Sequence, residues 1–204
     1  MCKLVLVRHS QPEIVPDLPA SQWRLSQVGR QRCKRLAEKL AVYAPDVIVT
    51  SLEPKAVETG QIVARLLDRP FETAADLHEH DRRNVGFLGD RQQFEARVVD
   101  LFEQPGRLVL GSETADAAHA RFADAVASVI TKHPGCNVVV VAHGTVMTLF
   151  VARAAGLEAA PFWKRLGLPA FVVLSLPEYE LLEVVEDVEA DLPESSRTSQ
   201  SGVP

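Results

Sequence analysis

Lys3-Leu4-Val5-Leu6-Val7-Arg8-His9-Ser10 opens the chain with an apolar run that ends abruptly in a cation and an imidazole. A short apolar run rich in β-branched residues, with polar residues after it, reads as a strand buried on both faces, as in a parallel sheet. Arg8 and His9 then fall at the strand's carboxyl end, which is where open α/β sheets bind ligands. The stretch Asn137-Val138-Val139-Val140-Val141-Ala142-His143-Gly144 repeats the pattern. Two buried strands that both end in histidine are the central observation.

The rest of the chain alternates around these two runs. Ser26 is a helix N-cap, and the helix it starts runs to about residue 42 with Val28, Cys33, Leu36, Ala37 and Leu40 as its buried stripe. Arg30, Arg32, Lys34, Arg35 and Lys39 are assigned to its solvated faces. Residues 47–50 form a second strand, and Pro54 suits the first turn of the next helix. Residues 71–74 read as an edge strand, and 92–103, 114–132 and 145–155 as helices. Residues 161–169 read as a loop carrying Phe162 and Trp163, and 171–176 with 181–185 as a hairpin. This order predicts one α/β domain over residues 1–186, a three-layer sandwich with a mostly parallel central sheet and helices on both faces. The acidic, then Ser- and Pro-rich tail 187–204 is expected to be disordered.

Composition narrows the functional classes. The chain has 204 residues, 47% hydrophobic and 24% charged, the profile of an ordinary globular protein large enough for one sizeable core. A net charge of −5 argues against a general nucleic-acid surface. No apolar run reaches the length of a membrane span. The opening strand has no signal-peptide layout, and the unpaired cysteines Cys2, Cys33 and Cys136 suggest a reducing compartment. The expectation is a cytoplasmic protein without membrane or nucleic-acid partners.

Nucleotide-binding glycine fingerprints and a G-x-S-x-G elbow are absent from the sequence. What remains is a pair of strand-end histidines, cations at Arg8 and Lys55, and an acidic cluster around Glu79. Phosphoryl transfer needs such a set, because its catalysis is mainly positioning and cationic stabilisation of the equatorial oxygens. A neutral imidazole can attack phosphorus and split one hard step into two. A carboxyl group can then protonate the leaving oxygen. Lys55, in the first turn of its helix, opposes the helix dipole unless an anion lies nearby.

Four segments in order resemble the histidine phosphatase superfamily, the phosphoglycerate mutase-like proteins. Leu6-Val7-Arg8-His9-Ser10 resembles its opening Arg-His-Gly signature, and Leu25-Ser26-Gln27-Val28-Gly29 its "L-[ST]-x-x-G" helix entry. Ser51-Leu52-Glu53-Pro54-Lys55-Ala56-Val57-Glu58-Thr59 resembles "S-x-L-x-R-A-x-Q-T", and Val140-Val141-Ala142-His143-Gly144 the late "V-x-H-G". Gly111-Ser112-Glu113 with Arg121 is similar to the family's "G-E-S…R" helix. The resemblance implies that His9 is the phosphorylated nucleophile. It also implies that Arg8, Lys55, His143 and Gly144 hold the phosphate, Glu79 is the proton donor, and neither metal nor cofactor is required. Ser10, His78 and Arg82 are candidates for the pocket. Departures are Ser10 for a small Gly or Ala, Gln11-Pro12 for Glu-Thr, Val15 for Asn, and Lys55 for the second arginine. Lysine keeps the charge but loses the bidentate fork.

The reading is therefore a metal-independent phosphomonoester hydrolase acting on a small phosphorylated substrate through phosphohistidine, with mutase activity less favoured. Asp76 and Asp81 remain alternatives to Glu79. One rival is a metal-dependent hydrolase built on His78 and His80; the other is a non-catalytic phosphate-binding protein of the same fold. Phe162, Trp163 and the hairpin edge are candidate homodimer contacts.

Overall fold

The computed structural model describes residues 2–190. Its sheet has six strands, β1 (Lys3–Arg8), β2 (Val47–Thr50), β3 (Phe71–Thr73), β4 (Val138–Ala142), β5 (Ala170–Ser175) and β6 (Leu181–Val185), in the order β3-β2-β4-β1-β5-β6. The first four in that order run parallel, while β5 and β6 form an antiparallel hairpin on the far side of β1. Central strands β1, β2, β4 and β5 are buried nearly end to end, so their continuous apolar runs are required by two covered faces.

Among the described residues six α-helices cover those faces: α1 (Gln27–Leu40), α2 (Pro54–Leu67), α3 (Arg91–Glu103), α4 (Ala115–Lys132), α5 (Gly144–Ala155) and α6 (Ala159–Arg165). Alternate strand residues point to opposite layers. Leu4, Leu6, Val138 and Val140 meet Phe122 of α4, Met147 of α5 and Phe162 of α6. Val5, Val7, Val139 and Val141 meet Leu36 and Leu40 of α1 and Val63 of α2. The three-layer α/β sandwich expected from the alternation of elements is present. Ser26 caps α1 by accepting from Gly29 N–H, and Thr114 caps α4 by accepting from Ala117 N–H.

Three expectations need correction. Arg32 is not on a solvated face: it is 8% exposed and donates to the Leu168 carbonyl at 2.9 Å, with Glu189 at 3.0 Å from its Nε. Residues 187–190, assigned to the disordered tail, pack onto the domain, with Val188 fully buried; the rest of that tail lies outside the described residues. Residues 161–169 are not all loop either, because 159–165 form α6, which turns Phe162 and Trp163 inward to 1% and 7% exposure. Those rings are core and offer nothing to a dimer partner.

Phe162→Ala should therefore behave as a core truncation, destabilising the fold by about 3–5 kcal/mol. A urea-unfolding midpoint close to that of the parent protein would contradict this packing.

Candidate active site

Parallel pairing brings three strand ends level. In register, Arg8 faces Ala142 and Val141 faces Thr50. The ladder continues one step past the strands, where His9 N–H donates to Ala142 O at 3.0 Å and Ser51 N–H to Val141 O at 3.0 Å. His9 and His143, 134 residues apart in sequence, consequently stand with ring centroids 5.2 Å apart.

A hydrogen bond assigns the tautomer of the His9 ring. His9 Nδ1 lies 2.7 Å from the Ser10 carbonyl, which can only accept, so Nδ1 carries the proton and Nε2 keeps its lone pair. Burial, then Lys55 and His143, hold the His9 pKa well below its usual value. His143 is likewise held well below the usual value by burial and Lys55, with Glu79 opposing. Its Nε2 sits 2.7 Å from Ser51 Oγ, which also accepts from Glu53 N–H at 3.1 Å. With the Ser51 hydroxyl proton donated to Nε2, neutral His143 carries its own proton on Nδ1, a buried atom with no partner among the described residues. The pair thus offers one nucleophilic nitrogen and one N–H donor.

Three cations surround the rings. Arg8 Nη1 donates to the Leu166 carbonyl, while buried Nε has no partner among the described residues. Its guanidinium lies against Gly144, where a Cβ would sit 2.9 Å from Nε, so the glycine makes room for the arginine. Burial lowers the Arg8 pKa to about 10, which leaves it charged at neutral pH. Lys55 is buried rather than solvent-facing, and its Nζ donates to Ala20 O at 2.6 Å and Glu53 Oε2 at 2.7 Å. Glu53 is the anion that the helix dipole demands beside Lys55. Arg82 stacks over Phe94 and places Nη2 3.5 Å from Glu79 Oε2, with Nη1 unpartnered among the described residues.

Glu79 occupies the N-terminus of α5, accepting from Thr145 N–H at 3.1 Å and Val146 N–H at 3.2 Å. His143, the N-cap residue, makes no side-chain cap bond there, so the remote carboxylate takes that role. Burial alone would raise the Glu79 pKa, but Arg82 and the Thr145 and His80 N–H groups outweigh it and hold the carboxyl ionised. Its segment is braced from α4: Arg121 bonds Glu113 at 2.6 Å and donates to the carbonyls of Asp76, His78 and Glu79. Gly111, with φ +71°, completes the brace where a Cβ would lie 2.1 Å from Asp81 O. Of the three carboxylates considered, only Glu79 borders the histidines; Asp81 is bonded to Arg83 through both oxygens, and Asp76 is exposed.

Other candidates are placed differently. Ser10 is fully buried and directs its hydroxyl to Gly29 O at 2.7 Å while its N–H donates to Thr59 Oγ1, so it pins the strand end to α1 and α2 instead of adding a hydroxyl to the pocket. His78 is half-buried, its pKa lowered by burial and by Arg121, and it stands close enough to His143 to depress that ring's pKa. His80 turns to the Glu113 carbonyl, with Nε2 at 2.8 Å. The ligand set of the metal-dependent rival is not assembled, since among the described residues no three His, Cys, Asp or Glu side chains group to hold an ion. Sequence reasoning missed Ser51 and Glu53. Ser51 stands at the end of β2, as His9 and His143 stand at the ends of theirs, and that parallel was the available signal.

A sequence model of the histidine phosphatase superfamily (branch 1) matches residues 4–181. No curated protein matches the chain. Among solved structures, a mycobacterial glucosyl-3-phosphoglycerate phosphatase complexed with VO3 is 23% identical with TM-score 0.74, covering 92% of this chain and 100% of that one. A phosphoserine phosphatase from Entamoeba histolytica with 3-phosphoglyceric acid is 16% identical with TM-score 0.72, covering 91% and 97%. YhfR from Bacillus stearothermophilus is 22% identical with TM-score 0.71, covering 91% and 96%. The chain belongs to the histidine phosphatase superfamily.

The neutral rings make stability pH-dependent. Unfolded, each titrates near its ordinary value, about 6.5; folded, each refuses the proton. The unfolded chain therefore binds more protons as pH falls through that value, and stability present above it is lost by up to roughly 1.4 kcal/mol per pH unit for each ring. Urea midpoints should fall between pH 7.5 and 5, with a shallower slope in His143→Gln. A midpoint independent of pH would mean that both rings take up protons alike in the folded and unfolded chain.

Proposed function

We propose that this member of the histidine phosphatase superfamily is a phosphatase that hydrolyses a small phosphomonoester through a phosphohistidine on His9, without a metal ion. The observation that carries the reading is the tautomer of His9: an unprotonated Nε2 beside the neutral His143 ring, flanked by Arg8, Lys55 and Arg82. The phosphatases among its structural neighbours support the same class of reaction.

In the first step the His9 Nε2 lone pair forms a bond to phosphorus as the bond to the ester oxygen breaks. Arg8, Lys55 and the His143 N–H stabilise the charge spread over the equatorial oxygens, and Arg82 screens the remainder. The departing alkoxide takes a proton from Glu79. That carboxyl is ionised before substrate arrives, but a phosphate brought beside it is a like charge that raises its pKa. Substrate binding and proton uptake on Glu79 are thereby coupled. In the second step Glu79, again a carboxylate, accepts a proton from the water that attacks phosphorus, and His9 leaves as neutral imidazole. One group serves as acid and then as base.

His9→Ala should abolish phosphate release from an aryl phosphate assayed with excess chelator. Quenching the parent protein in alkaline denaturant should trap a base-stable, acid-labile phosphoenzyme that the variant lacks. Activity lost on chelation would move the reaction to a metal mechanism. Glu79→Gln should cost about 10²–10⁴-fold with an alkyl phosphate, whose leaving group needs the proton, and much less with a nitrophenyl ester. Equal losses on both substrates would remove Glu79 from the proton-donor role. The parent's kcat/KM on alkyl esters should also fall as pH rises above neutral.

A further inference from the structure

We propose that Glu53 is a positioning residue for phosphate binding: its carboxylate fixes the Lys55 ammonium and the Glu79 backbone in one arrangement, so that a lysine makes a directed contact with the phosphoryl group. The proposal rests on the phosphoryl-transfer reading above.

Glu53 precedes Pro54 at the start of α2, yet its side chain makes no cap bond to its own helix. Instead the carboxylate, in a residue 8% exposed, reaches two other parts of the site. Oε2 accepts from Lys55 Nζ at 2.7 Å, and Oε1 accepts from Glu79 N–H at 3.0 Å. Oε1 also lies 3.7 Å from His143 Nε2, and the Glu53 N–H donates to the Ser51 hydroxyl that bonds that same ring. One residue therefore touches the cation that binds phosphate, the segment that carries the proton donor, and the serine that orients the second histidine.

A carboxylate buried beside an anion site opposes the anion unless it is paired. Its presence here is explained by what lysine lacks. A guanidinium has a rigid fork of donors, whereas an ammonium has three rotatable ones on a flexible stem. Glu53 Oε2 and Ala20 O occupy two of the Lys55 donors from fixed positions. The remaining donor then has a defined direction, which restores part of the geometry that a fork would supply. The same arrangement ties segment 20–22 to α2 and, through Oε1, to the start of the 79–82 segment.

Sign separates this role from a structural one. With Lys55 present, losing the Glu53 carboxylate releases the ammonium and weakens phosphate binding. With Lys55 absent, Glu53 is an unpaired negative charge near the phosphate, so losing it strengthens binding. A residue that only supports the fold would move both backgrounds the same way.

The experiment is calorimetric titration of inorganic phosphate into the full chain, with melting temperatures recorded for every variant. Glu53→Gln should weaken binding about fivefold in the parent protein and tighten it about threefold in a Lys55→Met background. Glu53→Asp, which keeps the charge but not the reach, should weaken binding by about as much as Glu53→Gln and guards against a variant that fails to fold. Shifts of equal sign and size in the two backgrounds, or an unchanged affinity in both Glu53 variants, would overturn the positioning role alone. A parent protein that binds no phosphate would overturn the phosphoryl-transfer reading, and this proposal with it.

Discussion

Everything at the site depends on one constraint, the parallel hydrogen-bonded register of β2, β4 and β1. Parallel strands present their carboxyl ends on one side, and the bonds from His9 N–H to Ala142 O and from Ser51 N–H to Val141 O carry that alignment one residue past the strands. His9, His143 and Ser51 are therefore placed by backbone geometry before any side chain is considered. α5 then begins directly at the end of β4, so a helix N-terminus opens onto the same edge. The apolar layers on both faces hold this register, because a one-residue slip would turn Val139 and Val141 out of the α1/α2 layer.

Charge is balanced within that frame at short range. Arg8, Lys55 and Arg82 supply the positive field, while Glu53 and Glu79 pair with part of it. Four of these five ions are tied to the backbone as well: Arg8 to Leu166, Lys55 to Ala20, Glu53 to Glu79, and Glu79 to Thr145 and Val146. Burial of these cations has a second effect, since Lys55 helps to keep both imidazoles neutral. The field that would grip a phosphate is thus the field that leaves a lone pair on His9.

Much of this was legible in the residues. Apolar runs ending in Arg8-His9 and Ala142-His143 are local patterns, and buried parallel strands are the structure they form most readily. Glu79 is harder, because Asp76 and Asp81 have the same chemistry a few residues away and the segment is oriented by remote partners, the Arg121–Glu113 brace and Glu53. Arg32 looked solvated because its partners, Leu168 and Glu189, lie more than a hundred residues distant. α6 was read as loop because a seven-residue helix with no side-chain cap draws its stability from burying Phe162 and Trp163 rather than from its own sequence.

The sequence by itself determined the order of the strands and of every described α-helix but α6, the two histidines at strand ends and the family to which the chain belongs, because each is written in short-range periodicity and motif. Only the tertiary structure decided which carboxylate meets the histidines, which nitrogen of His9 holds the proton, and that Lys55 is coupled to Glu53 and Ala20. Those outcomes depend on distances between groups brought together by sheet register and by the bracing of loops. Hydrogen bonding and desolvation act over a few ångströms in space, whatever the separation along the chain.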